Sequence, residues 1–367
     1  MEPGKTPLPG EPRFGPEIYR RFNDLETFDD FFEIEAIVPL THGADAILSN
    51  MTDAIYHDHH WFILDRLAPA IFKFTDSGKF VLKFGVGEGP GALTDPWSLR
   101  PVFDGHLGVA DLEQGRILVF DGQGKFITAT DPMIEGHAIL SQFAYIWDRA
   151  DQLYLASFPS ANPDAPQHLA LDYSQAKGKI LFGFGEQIQS VARARQKGSG
   201  AKPYTAFNRL GNYIWAGSPY TTYLNIYDLQ GHACGEIGKE TPRITGAMVL
   251  PEDLEHLSRD PESYMQVIAQ KSSNTKIGAL GPVVLVQMGQ FLDFYDMSGN
   301  LLKANLPFQP TSYLFLTNNR LAMAVSAEAL GANINPELRS ALQSMPSHDG
   351  PPTLHLVVYD LRSNLLQ

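Results

Sequence analysis

Apolar runs of four to eight residues, alternating or unbroken and each closed by Asp, Gly, Asn or Ser, recur along the whole chain. Such runs are strand signals, and the 3.6-residue stripe of a helical array is missing. One theme appears six times: an apolar strand, a loop, then a second apolar strand that ends in a tight turn. The second strands and turns are IFKFTDSGKF (71–80), ILVFDGQGKF (117–126), HLALDYSQAKGKI (168–180), LNIYDLQGHA (224–233), FLDFYDMSGNLL (291–302) and LHLVVYDLRSNLL (354–366). Their partner strands are HWFILD, HLGVAD, QLYLAS, YIWAGS, VVLVQM and RLAMAV, and each unit carries a turn aspartate: Asp76, Asp121, Asp172, Asp228, Asp296 and Asp360.

Units of this length with several strands predict the blades of a β-propeller. Within a unit the order is an inner strand A, then B, C and D; in the second unit these fall at 97–103, 106–111, 116–121 and 125–130. The sixth unit stops at Gln367 before a fourth strand, while FFEIEAIVPL (31–40) has no unit of its own. Because a closed ring removes sheet edges, the early segment is expected to complete the last blade. The expected organisation is all-β: a single six-bladed propeller of four-stranded antiparallel blades over 28–367, with short helical insertions on one face. Residues 1–27, rich in Pro and Gly, are expected to form a leader outside the ring.

In FGVGEGPGALTDP (84–96), Gly87, Gly89 and Ala92 match the G-x-G-x-x-G/A spacing of a dinucleotide-binding turn. That turn needs a helix whose N-terminus faces the pyrophosphate. Pro90 and Pro96 frame a stretch without helical period, so the segment reads as a junction between blades.

Composition narrows the partners. The 367 residues include 44% hydrophobic and 19% charged positions, 32 Gly and 26 Pro, as suits a globular chain with many short turns. A net charge of −13 repels nucleic-acid phosphates and anionic lipid. The one cysteine, Cys234, excludes an intramolecular disulfide and a thiolate zinc cluster, and reads as a small buried residue. No apolar run is long enough for a transmembrane helix, and MEPGKTPLPGEPRFGPE lacks the regions of a signal peptide. That beginning fits a cytoplasmic start at Met1 or a start placed after a removed export signal, and oligomeric state stays open.

The stretch KFGVGEGPGALTDPWSLRPVFDGHLGVADLEQGRILVFDGQGKFI (83–127) resembles an NHL repeat: a Gly-rich linker with GPG, a strand, VAD, an Arg before an apolar triplet, and FDxxGKF. ILDRLAPAIFKFTDSGKFVLKFGVGEGPG (63–91) is similar to the first blade of TolB-like six-bladed propellers, common as exported bacterial proteins. The later units keep only the turn aspartate and the apolar strands. The resemblance implies the propeller fold and an extracytoplasmic, periplasmic or secreted, location.

In such a blade the B–C loops and D–A crossings share one face. The long segments 157–167, 183–203, 238–264 and 326–353 all map there, making it the candidate binding surface for a protein partner or small ligand. Within them, 186–197 and 251–270 are rich in helix formers. Arg193, Arg195, Lys197 and Lys202 form a basic cluster there, read as a solvated insertion. The starts of the A strands converge on a central funnel, where Asp53, Asp95, Trp97, Gln142, Tyr204, Lys276 and Tyr313 are the candidate ligand-binding residues. In propellers resembling gluconolactonase or paraoxonase this ring holds a hard cation; here Asp53, Asp95 and Asn274 are the alternative calcium ligands, diluted by Lys276 and two tyrosines. HDHH (57–60) falls in an A–B turn on the opposite face and reads as a solvated turn. No G-x-S-x-G or other nucleophile set is present, and no catalytic residue is assigned. Two functions follow: a non-catalytic binding or scaffold propeller without a cofactor, or a metal-dependent lyase or lactonase-like hydrolase.

Overall fold

The computed structural model describes residues 14–40, 51–111, 113–129, 153–157, 164–172, 179–187, 206–218, 223–238, 276–288, 291–308, 313–317, 320–326 and 354–366, with isolated positions between them (48, 133, 134, 137, 138, 147, 148, 162, 189, 192, 221 and 340). Two helices come first, α1 (Pro16–Asp24) and α2 (Phe28–Phe31), followed by strand β1 (Phe32–Pro39). Five four-stranded sheets are then laid down as meanders of consecutive strands. The first holds β2 (Met51–His57), β3 (His60–Asp65), β4 (Ala70–Thr75) and β5 (Phe80–Phe84). The second holds β6 (Pro96–Pro101), β7 (Leu107–Asp111), β8 (Arg116–Phe120) and β9 (Phe126–Ala129). After a two-stranded ribbon, β10 (Met133–Ile134) with β11 (His137–Ala138), the third holds β12 (Trp147–Asp148), β13 (Leu153–Ser157), β14 (Pro166–Asp172) and β15 (Lys179–Glu186). The fourth holds β16 (Ala206–Leu210), β17 (Tyr213–Gly217), β18 (Leu224–Asp228) and β19 (Ala233–Ile237), and the fifth β20 (Lys276–Leu280), β21 (Val283–Met288), β22 (Phe291–Asp296) and β23 (Leu301–Pro307).

The remaining four-stranded sheet is a composite of both ends of the chain. Its order is β1, β26 (Leu354–Leu361), β25 (Arg320–Ser326) and β24 (Tyr313–Thr317), with β1 antiparallel to β26 from Phe32↔Leu361 to Pro39↔His355. The closing role expected of segment 31–40 is thus what β1 performs. The core lies between sheets: Ile55, Phe62, Leu64 and Ile71 of the first interdigitate with Leu99, Val109, Leu118 and Phe120 of the second.

Part of the segment read as a leader is packed. Ile18 and Phe22 of α1 are buried in the cluster that includes Phe294 and Leu306, and Tyr19 donates its hydroxyl to Asp296 at 2.5 Å. Phe31 stacks on Phe294 with ring centroids 4.5 Å apart, so α1 and α2 clip the start of β1 onto the fifth and composite sheets. Residues 1–13 lie outside the described residues.

The turns between third and fourth strands share one hydrogen-bond pattern. Asp121 Oδ1 accepts from Gln123 N and Lys125 N, Asp228 Oδ1 from Gln230 N and His232 N, and Asp296 Oδ1 from Ser298 N and Asn300 N, all at 2.8–2.9 Å. In the first sheet the equivalent position is Thr75, whose Oγ1 accepts from Lys79 N at 3.1 Å, and not Asp76 as the repeat alignment implies. Threonine substitutes because its hydroxyl reaches the same amide. Asp360 departs too: it lies within β26, where no hairpin follows because the next strand in the sheet is β1.

A glycine sits three residues after the capping residue, at Gly78, Gly124, Gly231 and Gly299, with φ between 79° and 85°. Each abuts the outer strand of the preceding sheet: a Cβ on Gly124 would lie 2.7 Å from Phe84, one on Gly231 2.7 Å from Phe182, and one on Gly299 against Ile237. Gly78 makes the same approach to Pro39 O and Val38 of β1. To the first sheet, β1 is what β5 is to the second.

Candidate functional site

The first strands of successive sheets adjoin in the order β16, β20, β24, β2 and β6, so their outermost backbone edge, which pairs with no strand among the described residues, faces the axis. Buried edge groups need partners. Along this run a polar side chain from one first strand reaches the backbone edge of the next. Asn208 Nδ2 of β16 donates to Ile277 O of β20 (2.8 Å), and Lys276 Nζ of β20 donates to Leu314 O of β24 (2.5 Å). Thr317 Oγ1 of β24 accepts from Tyr56 N of β2 (3.3 Å), and Asp53 Oδ2 of β2 accepts from Leu99 N of β6 (3.0 Å). All four ties run the same way around the axis.

Two of the sequence candidates, Asp53 and Lys276, are therefore fastenings between sheets. Asp53 is buried; besides Leu99 N it accepts from Ala54 N at Oδ1 and from Arg100 Nη1 at Oδ2 (2.5 Å). Lys276 is half-buried over the Phe315 ring, 4.8 Å from its centroid. Burial lowers its pKa to about 8, the Asp53 carboxylate opposing that shift and the Arg100 guanidinium adding to it. The amine, the carboxylate and the guanidinium, from three different strands, thus feel one another's charge.

Asp95 and Trp97 belong to a neighbouring cluster. Asp95 is held in a two-pronged pair by Arg66, whose Nε donates to Oδ1 and whose Nη2 donates to Oδ2 at 3.2 Å, and the same guanidinium lies 4.9 Å from the centre of the Trp97 ring. The approach to β6 is fixed by Asp111 at the end of β7, which accepts from Thr94 N at 2.6 Å and Thr94 Oγ1 at 2.7 Å. With turns and bends but no helix over 85–95, the dinucleotide reading of FGVGEGPGALTDP has no structural support.

Gln142, Tyr204 and Asn274 lie outside the described residues, as do most of the insertions with 251–270 and the basic cluster from Arg193 to Lys202; Tyr313 is described only as the first residue of β24. The HDHH stretch is a two-residue hairpin in which Asp58 and His59 both take positive φ, 47° and 59°, as a type I′ turn requires. His57 Nε2 pairs with Gly105 O and His60 Nδ1 with Asp58 O, so the imidazoles diverge. Cys234 is partly exposed, not buried as the sequence reading has it, because it lies on the outer strand β19; desolvation and the Asp228 carboxylate push its thiol pKa up, away from a nucleophile's range.

A hard cation does not fit the described carboxylates. Asp53 accepts three N–H groups and faces Arg100 and Lys276, and Asp95 is taken by Arg66, so a calcium ion would have to displace arginines and sit beside an ammonium. Among the described residues no group of three or more His, Cys, Asp or Glu is arranged to hold a metal. Sequence reasoning missed Arg66, Arg100, Asn208 and Thr317, because a lone polar side chain in a turn or strand carries no motif.

No protein-family model matches the chain, and no curated protein matches it. Solved structures do resemble it. A candidate exported protein of Bacteroides fragilis aligns at 15% identity over 92% of this chain and 97% of its own, with a TM-score of 0.61. A DUF4221-family protein of Bacteroides vulgatus aligns at 11% identity over 90% and 98%, with a TM-score of 0.56. A streptogramin B lyase aligns at 12% identity over 80% of each chain, with a TM-score of 0.49, too low to carry an argument. At these identities likeness speaks to fold alone. Together with the sheet order, it makes this chain a β-propeller of four-stranded antiparallel sheets.

Proposed function

We propose that the chain is a non-catalytic binding or scaffold protein, a single propeller domain whose five meanders and composite sheet are six NHL-like blades of one ring. It engages a protein partner or small ligand through the face where the first strands begin and where 157–167, 183–203, 238–264 and 326–353 enter. One observation carries this reading. The acidic and basic side chains at the starts of the described first strands are bound into inter-sheet ties and arginine pairs, so no acid–base pair, nucleophile or cation cage is assembled among them. The metal-dependent lyase or hydrolase needs a carboxylate set free of competing cations, which Asp53 and Asp95 do not provide. An extracytoplasmic location accords with the description of the Bacteroides fragilis neighbour and with the lack, among the described residues, of a helix long and apolar enough to cross a membrane.

Partner capture from the source cell followed by cross-linking mass spectrometry tests the face. Cross-links are expected at Lys197, Lys202, Lys239 and Lys271. Lys79 and Lys125, exposed on the opposite face, are expected to stay unlinked, whereas Lys73 is uninformative because it is buried with its ammonium on Gly122 O. Links confined to Lys79 and Lys125 would overturn the assignment.

A further inference from the structure

We propose that the channel binds a small organic carboxylate between Arg100 and Lys276. This rests on the binding reading above and names the chemistry of the ligand. Arg100 is held by one nitrogen: its Nη1 donates to Asp53 Oδ2 at 2.5 Å and to Leu99 O at 2.6 Å, which uses both Nη1 protons. The Nε–H and the two Nη2–H groups have no partner among the described residues, and the side chain is 34% exposed. A guanidinium fixed through one edge presents its remaining donors as a preset fork, the shape that takes both oxygens of a planar carboxylate. Across the axis, Lys276 donates once, to Leu314 O, and keeps two N–H groups for a further acceptor.

Charge selects the same ligand. Arg100, Lys276 and Asp53 sum to a local charge of +1 within a chain of −13. A monoanion balances that local charge, whereas a phosphate dianion would overshoot it against the field of the whole protein. Lys276, whose amine rests on Leu314 O of β24, lies on the same run of adjoining first strands as Asp53 of β2 and Arg100 of β6, and feels the charge of both. Phe315, buried beneath the Lys276 ammonium, holds that amine in place.

Ligand-observed saturation-transfer NMR and thermal melting of the full chain with sodium benzoate test this, against benzamide, inorganic phosphate and sodium chloride at matched ionic strength. Benzoate is expected to receive saturation and to raise the Tm by on the order of 2 °C at tenfold excess over Kd. Benzamide and chloride should do neither, and phosphate should act more weakly than benzoate. Arg100→Lys keeps the charge but loses the fork and is expected to abolish the benzoate signal, as is Lys276→Gln to weaken it several-fold, while Lys79→Gln on the opposite face binds as the parent does. The NMR readout needs only folded protein, so a Tm change from the lost Asp53 contact does not confound it. Equal transfer to benzoate and benzamide, stronger binding of phosphate, or undiminished binding in Arg100→Lys would each overturn the carboxylate site. Loss of benzoate binding with cross-links still on the insertion face sinks this inference alone; the converse sinks only the partner reading.

Discussion

The turns between third and fourth strands and the channel edge both fasten one sheet to the next, yet they draw on sequence in different ways. In the turns the same residues recur: an Asp, or Thr75 in its place, and three positions later a left-handed Gly lying on the preceding sheet. At the channel four unlike residues, Asn208, Lys276, Thr317 and Asp53, perform one task. The turn closes its hydrogen bonds within five residues, so its geometry dictates which side chains fit. The channel tie ends on a backbone group of another strand. A carbonyl there takes any donor of sufficient reach, and an amide takes any acceptor, so position is constrained while identity is free.

The largest effect should come from breaking ring closure. Deleting residues 28–40 removes β1, and with it the outer strand of the composite sheet and the surface on which Gly78 rests. Cooperative thermal unfolding, followed by circular dichroism, is expected to be lost; a truncated chain melting at the temperature of the full one would break the comparison at its root.

Acid probes the packing between turn and channel. His168 is 1% exposed among Phe184, Phe207 and Tyr227, its Nδ1 has no hydrogen-bond partner, and burial lowers its pKa to about 3. The unfolded chain protonates this histidine near pH 6.5 while the folded chain does not, so between those values the unfolded state holds more protons and stability falls as pH falls. The slope is about 1.4 kcal/mol per pH unit, reaching on the order of 5 kcal/mol over the window. Burial lowers the His355 pKa as well, adding in the same direction. Urea midpoints from pH 7 to pH 4 should show the slope, and His168→Leu should flatten it.

Next come the turn glycines. Gly78→Ala forces a left-handed alanine against Pro39 O and is expected to cost about 3 kcal/mol. Gly87→Ala, with φ of 96° but nothing within 4 Å of the added carbon, should cost only about 1 kcal/mol. Equal losses in urea denaturation would show that conformation alone, and not the neighbouring sheet, holds glycine in the turn.

The channel ties should give smaller losses than Gly78→Ala. Asp53→Asn weakens a buried acceptor of two amides and an arginine, with an expected loss of about 2 kcal/mol. Thr317→Val removes one hydroxyl acceptor, for about 1 kcal/mol. If Thr317→Ser restores what Thr317→Val loses, the hydroxyl is what matters at that tie.

Much of the fold was legible because it is local. The second unit is predicted at 97–103, 106–111, 116–121 and 125–130 and found at Pro96–Pro101, Leu107–Asp111, Arg116–Phe120 and Phe126–Ala129. The candidate site was less legible. Asp53 and Lys276 are correctly placed on first strands, but their engagement with Leu99 N, Arg100 and Leu314 O depends on strands dozens of residues away or more. The helix at Pro16–Asp24 was missed because Pro and Gly before it dominate the reading, and its burial comes from Phe294, far along the chain.

By itself the sequence determined the strands, their turns and the need for an N-terminal strand, since each follows from alternation, turn chemistry and an unfinished last unit within short windows of chain. Only the tertiary structure decided what the polar residues of the first strands do. A carboxylate or an amine carries the same chemistry whether it binds a ligand or ties two sheets. Which one it does depends on the backbone edge that folding brings within about 3 Å of it.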